Sequence, residues 1–355
     1  MLDRLRELIE HPCPPGDDAQ YNRWLAERWR PYLQTVEVTP VGNLVGHVGG
    51  SGPRVLLLGH SDEIAFTVRA IDERGFIFLD YDQGDASEPT LRGPTFLPLG
   101  HPALILGTDG PVAATFAAVT GHLVDPSRQN QTTLTWRDVF VDLGAANQAE
   151  VAARGVAVGT PVIWNPPVRQ QGSRIIGRAM DNRAALAILE TILVTLDRGR
   201  LTCDLWVAST AMEEAGTIGA ASLQKLVQAH YAIALDVAPA GDIPTIDPLT
   251  VPTRLGDGPV IIHKDQVPYT RSLLLAIEHV AQQAGIPFQR AIYDRLGTDA
   301  GPMLRQGVAA AALGFPIRYT HSPFETVDAE DLAACARLLQ ALIVDPSWND
   351  LGIGG

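Results

Sequence analysis

Two adjacent carboxylates, Glu213 and Glu214, directly follow a mostly apolar, partly β-branched run at residues 205–212. Successive side chains on extended backbone point in different directions. One carboxylate could therefore bind a metal ion while its neighbour faces the open space beside it as a general base. A lone Glu-Glu pair is more often a solvated helix start, because Glu is rarely buried without a partner. The pair indicates a catalytic metal site only if other metal-ligating side chains lie next to it in the fold.

Such ligand types are present, because an apolar run that leads into His or Asp recurs four more times along the chain. The residues concerned are His60, Asp181, Asp236 and His321. Taken singly, most of them are better explained as capping or turn residues. Asp236 is the exception, since a carboxylate that ends the fully apolar strand predicted at residues 231–236 needs a partner.

Asp62 stands two residues after His60, immediately after the apolar run at residues 55–58. On extended backbone the two side chains share a face, so Asp62 could accept the second imidazole N–H and hold His60 as a ligand. A capped turn with surface polar groups is the alternative explanation for this short motif.

The collected set contains two imidazoles, three ligating carboxylates and one spare carboxylate, and the spacing leaves open which of Glu213 and Glu214 is the ligand. Mixed nitrogen and oxygen ligands suit zinc, cobalt or manganese, and the lack of a thiolate argues against a closed structural zinc site. Five ligands exceed the need of one catalytic zinc ion. They fit two ions that share a bridging carboxylate, with an open position for a bridging water. The set therefore predicts a co-catalytic hydrolase site.

Composition bounds the partners of such a site. The chain has 355 residues, of which 46% are hydrophobic and 19% charged, as in an ordinary globular protein. A net charge of −13 without a Lys/Arg cluster argues against a nucleic-acid partner. No apolar run reaches the roughly 18 residues of a membrane span. The expected substrates are therefore small molecules or peptides.

The cysteines and the N-terminus predict a cytoplasmic location. Cys13, Cys203 and Cys335 lie far apart and form no CxxC motif, which favours a reducing compartment. Residues 1–9 are charged and amphipathic, and they predict a helix instead of a secretory signal.

Two textures along the chain predict two domains. Residues 1–70 and 166–355 alternate apolar strands with helices, including a helix at 218–229, and predict one discontinuous catalytic domain. Residues 71–165 contain short strands separated by Gly, Pro and Asp, and predict an inserted β domain. No residue type in the insertion suggests catalysis, so we expect it to cover the site or to mediate oligomerisation.

The chain resembles the glutamyl aminopeptidase or tetrahedral deblocking aminopeptidase group of dinuclear metallopeptidases. The resemblance covers nearly the whole chain and has mild departures at Ala65, where Gly is usual, and at Asn182, where a second Asp is common. The matching pieces, in chain order, are His60-Ser-Asp-Glu63, Arg178-Ala-Met-Asp-Asn-Arg183, Met212-Glu-Glu-Ala-Gly216, Ala234-Leu-Asp236, Gly297-Thr-Asp-Ala-Gly301 and His321-Ser-Pro323.

The resemblance implies a fold and a role for each site residue. The fold would be an α/β, mixed-sheet zinc-exopeptidase domain of the aminopeptidase type, with helices on both faces and a small inserted β-barrel-like domain. The implied roles are His60 and Asp236 on one metal ion, Glu214 and His321 on the other, Asp181 as the bridge, and Glu213 as the catalytic base that activates the bridging water.

The expected activity is a dinuclear, metal-dependent aminopeptidase that removes N-terminal residues from short peptides. Its cofactors would be two divalent ions, zinc first, with cobalt or manganese as alternatives. The resemblance also implies self-association into a dodecamer, with a dimer as the fallback. An inserted β domain with exposed edge strands could supply the repeated contact patches that closed symmetry requires.

Two other enzyme classes compete with this expectation. Relatives of this kind are sometimes labelled endoglucanases, but a glycosidase needs two carboxylates that face each other at about 5–9.5 Å. Adjacent Glu213 and Glu214 diverge and cannot flank one sugar linkage. A deacylase or carboxypeptidase of the related zinc clan would typically carry its insertion after the glutamate pair, whereas here the insertion precedes Asp181.

Overall fold

The computed structural model describes residues 1–81, 99–120, 122–125 and 138–346. Its chain divides into two compact units, and the second consists of Ile64–Val168 together with His321–Phe324. The predicted insertion, 71–165, lies inside this second unit. The second unit begins at Ile64, before the predicted boundary at residue 71. The prediction was late because the turn signal it relied on, at residues 72–75, follows a strand that already belongs to the second unit.

A mixed sheet of eleven strands forms the centre of the first unit. Its strand order is β1-β2-β12-β3-β13-β16-β17-β11-β10, and β14 pairs with β15 and β16. The strands are Thr35–Val38 (β1), Leu44–Gly50 (β2), Arg54–His60 (β3), Arg169–Gln171 (β10), Arg174–Gly177 (β11), Asp204–Thr210 (β12), Tyr231–Pro239 (β13), Val260–Lys264 (β14), Gln289–Ile292 (β15), Ala309–Arg318 (β16) and Glu325–Asp328 (β17).

Helices cover both faces of this sheet, as predicted. The helices of the described chain are Leu2–Glu10 (α1), Asp18–Trp29 (α2), Gln148–Ala152 (α3), Met180–Thr195 (α4), Gln224–Val227 (α5), Arg271–Gln283 (α6), Ala300–Arg305 (α7) and Ala329–Ile343 (α8). The helix α4 packs on β3 and β13 and against α1 and α8, whereas α7 packs on β13 and β16. Among the described residues, none of these helices has the length and apolar character needed to cross a membrane.

The second unit is a closed barrel with the strand order β4-β5-β8-β7-β6-β9. Its strands are Phe66–Ile71 (β4), Ile77–Tyr81 (β5), Pro102–Gly107 (β6), Gly110–Ala118 (β7), Val139–Asp142 (β8) and Pro161–Trp164 (β9). In its core, Phe66 packs against both Phe116 and Trp164. Because the barrel closes on itself, its strands leave no open edge, and the expected contact through edge strands is wrong for the barrel.

The helix predicted at residues 218–229 is only partly present. The segment forms a short turn of helix at Ala220–Ser222 and then α5. Tertiary hydrogen bonds hold the chain here, since Gly219 N donates to Ala211 O and Asn43 Nδ2 donates to Gly219 O. A Cβ atom at position 219 would lie 2.2 Å from Asn43 Oδ1, so only glycine permits this close approach.

Candidate metal centre

Three neighbouring parallel strands bring the predicted site residues of the first unit to one edge of the sheet. The strand β3 lies between β12 and β13 and is parallel to both, so their carboxyl ends meet. His60 is the last residue of β3 and pairs with Thr210, the last residue of β12. The glutamate pair follows Thr210 after only two residues, and it therefore lies beside His60.

Asp236 lies within β13 and not at its end, where it was predicted. β13 pairs with β3 only as far as Ala234, and then continues along β16 to Pro239. Beyond Ala234, β13 no longer pairs with β3. The Asp236 side chain therefore lies at the edge of the sheet where β3 and β12 end, although β13 itself continues.

Asp181 enters the site from the junction between β11 and α4. Asp181 and Asn182 have non-helical backbone angles at the start of α4, and the peptide bond between them is cis. The Asp181 N–H donates to Glu325 Oε2 at 3.2 Å, and Thr320 Oγ1 donates to Asp181 Oδ2 at 3.0 Å. The Asn182 amide donates to Leu235 O at 2.9 Å. These bonds fix the carboxylate of Asp181 towards β3.

The side chains of His60, Asp181 and Asp236 form a buried cluster of metal-ligand type. Each offers a ligand atom, and the three atoms lie within 4.8 Å of one another. Carboxylate oxygens of Asp181 and Glu214 are likewise within 4.8 Å of each other. His60 Nε2 lies 3.1 Å from Asp181 Oδ1. One imidazole and several carboxylates in such a volume have the donor chemistry of a zinc, cobalt or manganese site.

Glu213 lies at the margin of this cluster. Its Oε2 atom is 3.8 Å from His60 Nε2, and its side chain is 10% exposed. Among the described residues, the ligand atoms of His60, Asp181 and Asp236 converge in one group, and those of Asp181 and Glu214 converge in another. Glu213 belongs to neither of these two groups. The two glutamates therefore occupy different positions, as the sequence predicts.

The reason for this divergence differs from the prediction. Both glutamates lie in a turn after β12, not on extended backbone, and Met212 just before them has a left-handed φ of 50°. Asp62 holds the turn, because its two carboxylate oxygens accept the N–H groups of Glu213 and Glu214 at 3.0 Å each. The two side chains are thus directed by a bent backbone that a buried carboxylate fixes.

Asp62 also lies against His60, although less directly than predicted. His60 Nδ1 is 3.1 Å from the backbone oxygen of Asp62 and 3.4 Å from its Oδ1 atom. With Nδ1 facing these oxygens, Nε2 is left towards Asp181 and available to a metal ion.

Burial and like charges dominate the electrostatics of the site. Burial raises the pKa of Asp236 well above its ordinary value, and the charge of Asp181 adds to this effect. Burial likewise raises the pKa of Glu213, helped by Asp236. For His60, burial lowers the pKa, but hydrogen bonds with Asp181 and Asp62 outweigh it and hold the pKa well above its usual range. A bound cation would relieve this crowding of carboxylates.

Asp299 is a further buried carboxylate, to which sequence analysis assigned no role beyond its place in the motif Gly297-Thr-Asp-Ala-Gly301. It precedes α7 but makes no side-chain cap, and instead accepts a hydrogen bond from Thr210 Oγ1. Burial raises its pKa to about 6. The motif Gly297-Thr-Asp-Ala-Gly301 carried a signal, but local spacing could not reveal a partner 89 residues away.

His321 follows β16 in the short segment His321–Phe324, which groups with the second unit. It is half-buried, and its backbone has a left-handed φ of 61°. Its role as a ligand stays a prediction from the sequence.

A buried cluster of imidazole and carboxylate ligands at the carboxyl edge of a mixed α/β sheet, with an inserted barrel, defines a metal-dependent hydrolase. The chain belongs to the M42 glutamyl aminopeptidase family, whose model matches residues 42–338. It is therefore a peptide hydrolase of the aminopeptidase type, and its family implies divalent metal ions.

Relatives agree with this assignment over nearly their whole length. The chain is 29% identical to a lysyl aminopeptidase of Pyrococcus furiosus, over 96% of this chain and 95% of the relative. A TET aminopeptidase from a marine-sediment Thaumarchaeota archaeon is 28% identical and superposes with a TM-score of 0.89, over 99% and 98% of the two chains. The TET1 peptidase of Pyrococcus horikoshii is 25% identical, with a TM-score of 0.84 over 96% and 98%.

One structural neighbour has an endoglucanase name. This Thermotoga maritima protein is 21% identical, with a TM-score of 0.74 over 96% of each chain, and at that identity the likeness shows the fold alone. The geometry offers no support for a glycosidase pair at Glu213 and Glu214, because Asp62 holds both in one turn.

We expect added zinc or cobalt to raise the midpoint of thermal unfolding, and to do so more strongly as pH rises. Asp236, Glu213 and His60 have raised pKa values in the folded state, so the metal-free protein holds extra protons and loses stability with rising pH. Metal binding requires deprotonated ligands and displaces these protons. At roughly one hundred times Kd, the gain is about 2.7 kcal/mol. Calorimetry at several pH values measures it.

Asp236→Asn should weaken this stabilisation. Asp331→Asn is the control, since Asp331 is an equally buried carboxylate whose partners are Gly256 N and Gly258 N. A metal-induced shift of the same size at every pH would contradict the assignment of protonated carboxylates to the metal site.

Proposed function

We propose that this protein is a two-metal aminopeptidase that removes N-terminal residues from short peptides, with Glu213 as its general base. The observation that carries the proposal is the buried convergence of His60, Asp181 and Asp236, with Glu213 at its margin. The cytoplasmic location expected from the sequence stays a prediction.

The proposed ligands divide between two ions. His60 and Asp236 would hold one ion, and Glu214 with His321 the other. Asp181 would be the bridge, which is supported by its closeness both to His60 and Asp236 and to Glu214. Zinc is the preferred ion, with cobalt or manganese as alternatives. When bound, such ions polarise a carbonyl group and lower the pKa of water.

Glu213 is suited to move the proton in this reaction. Its raised pKa brings the carboxylate closer to the working pH, where a group both accepts and returns a proton efficiently. It would take a proton from the attacking water and pass it to the leaving amine. Asp62 would support this step by holding the backbone of Glu213 and Glu214 and by orienting the His60 ring.

The first test is hydrolysis of a panel of aminoacyl chromogenic amides by the metal-loaded protein, before and after exhaustive chelation. We expect chelation to abolish activity and added zinc, cobalt or manganese to restore it, because the proposed ions would lower the pKa of the attacking water. The matched control is the same panel with an acetylated α-amine, which an aminopeptidase should not cleave. Undiminished cleavage after chelation would refute the metal-dependent mechanism.

The two glutamates should separate in a second test. Glu213→Gln should retain both ions and reduce kcat by roughly 10²–10⁴, the range for loss of a general base. Glu214→Gln should instead reduce metal content, because its carboxylate converges with Asp181. Elemental analysis of both purified variants, alongside kcat, decides the matter. Equal metal loss in the two variants would show that the roles are wrongly assigned.

We further propose that the second unit mediates self-association, with a dodecamer expected and a dimer as the fallback. The Pyrococcus horikoshii relative is described as assembling into a tetrahedron or a large octahedral shell. In the second unit of this chain, Leu123 and Val158 are 81% and 69% exposed. These exposed apolar side chains are available for a protein contact, and the proposal places that contact in the second unit because of the assembly of the relative.

Light scattering should therefore give a mass well above the 38.1 kDa of one chain. Leu123→Glu and Val158→Glu should lower the mass, because each would place a charge in an apolar contact. Leu249→Glu is the comparison in the first unit, where Leu249 is 93% exposed. A monomeric wild-type protein, or dissociation by Leu249→Glu alone, would refute the proposed contact.

A further inference from the structure

Asp18, in the first turn of α2, is a buried carboxylate that the proposed mechanism does not use. It lies outside residues 42–338, the part of the chain that matches the family model. Sequence analysis did not single it out, because an Asp at a helix start is normally a capping or dipole-stabilising residue.

The carboxylate of Asp18 connects the two turns that carry the site. Its Oδ1 atom accepts hydrogen bonds from Ser61 Oγ at 3.1 Å and from Met212 N at 3.2 Å. Its Oδ2 atom accepts from Gly16 N at 3.0 Å. Ser61 follows His60 directly, and Met212 precedes Glu213 directly. One oxygen atom therefore joins the residue after the imidazole to the residue before the proposed base.

The Met212 contact matters because the backbone there is strained. Its left-handed φ of 50° is unfavourable for a non-glycine residue, so the turn persists only if its surroundings hold it. Asn22 on the same helix adds to the restraint, since its amide donates to Ser61 Oγ at 3.0 Å and to Ser209 O at 3.4 Å. Both strand ends are thus tied to α2.

A simple capping role does not account for Asp18. The N-cap residue of α2 is Asp17, and the Asp18 carboxylate accepts from Gly16, Ser61 and Met212, none of which belongs to α2. Burial, together with the like charge of Asp62, raises the pKa of Asp18 to about 6. A carboxylate in such surroundings destabilises the fold unless its hydrogen bonds compensate.

We propose that Asp18 is a positioning residue that fixes His60 and Glu213 relative to each other through Ser61 and Met212. This inference rests on the proposed function in one respect, namely that His60 and Glu213 act together. Its mechanical part, the restraint on the turn after β12, is independent of any activity. Displacement of a reacting group by about 1 Å can reduce a rate roughly 10²-fold, so the restraint should affect kcat.

The experiment compares three variants. Asp18→Ala removes the oxygen that accepts from Ser61 Oγ and Met212 N. Asp18→Asn keeps one carbonyl oxygen as an acceptor. Asp17→Asn is the matched control at the exposed neighbouring position. Hydrogen exchange followed by mass spectrometry on the metal-free protein reports on peptides that cover residues 55–63 and 207–217. Metal content, kcat and KM are then measured on the metal-loaded variants.

For Asp18→Ala we expect exchange in the 207–217 peptide to accelerate about tenfold or more, because the Met212 amide loses a charged acceptor. We expect kcat to fall about tenfold to a hundredfold with metal content and KM largely retained. Asp18→Asn should be intermediate in both measurements, which also provides the comparison if Asp18→Ala does not fold. Asp17→Asn should match the wild-type protein.

Unchanged exchange in both Asp18 variants would overturn the proposed restraint. Faster exchange with an unchanged kcat would show that the restraint is not needed for the reaction, and would overturn the positioning role. A wild-type protein that cleaves no aminoacyl substrate would refute the proposed function instead. In that case, the exchange comparison alone would decide whether Asp18 holds the turn.

Discussion

The acceptance of two successive backbone N–H groups by the buried carboxylate of Asp62 is the interaction on which the site depends. Glu213 and Glu214 differ in role only if their side chains diverge, and the bent backbone that provides this divergence contains a left-handed residue, Met212. Asp62 can reach both amides because β3 and β12 are parallel neighbours that end at the same level, with His60 opposite Thr210. Sheet pairing and side-chain chemistry are therefore coupled at this point.

The same constraint concentrates negative charge, and the fold compensates with buried cations. Glu63, next to Asp62, forms ion pairs with Arg178 and with Arg183. Arg183 also lies over the ring of Tyr21, 4.2 Å from its centroid, and donates to backbone oxygens near the N-terminus. Removing one partner of such a pair would leave an uncompensated buried charge, which is far costlier than losing a surface pair. The N-terminal segment thus holds in place one of the cations that compensate the acidic site.

Sequence patterns predicted several buried strands, because these depend on the local order of apolar residues, although β13 continues past its predicted end at Asp236. Apolar runs at residues 55–58 and 231–236 are buried strands, and their alternation with helices predicts the α/β class. The barrel and the family were implied instead by the resemblance of the motifs, and the family model matches residues 42–338. The failures have a common cause. The helix predicted at 218–229 is shortened where a tertiary hydrogen bond from Asn43 holds Gly219, and Asp18 and Asp299 contact partners 194 and 89 residues away. Local periodicity contains no information on such contacts.

The inserted unit raises a physical question, since His60 and Asp181 are 121 positions apart in the sequence and a flexible connection would oppose their convergence. Loop-closure entropy grows only slowly with length, but a disordered insertion would still loosen its ends. The barrel removes this difficulty internally, because its first strand pairs with its last, Phe66 opposite Val162 and Thr67 opposite Pro161. The chain therefore enters and leaves the second unit at adjacent positions. Because its two ends are close together, the insertion connects the flanking segments as a short loop would. Its sequence can therefore change without displacing the strand ends that form the site.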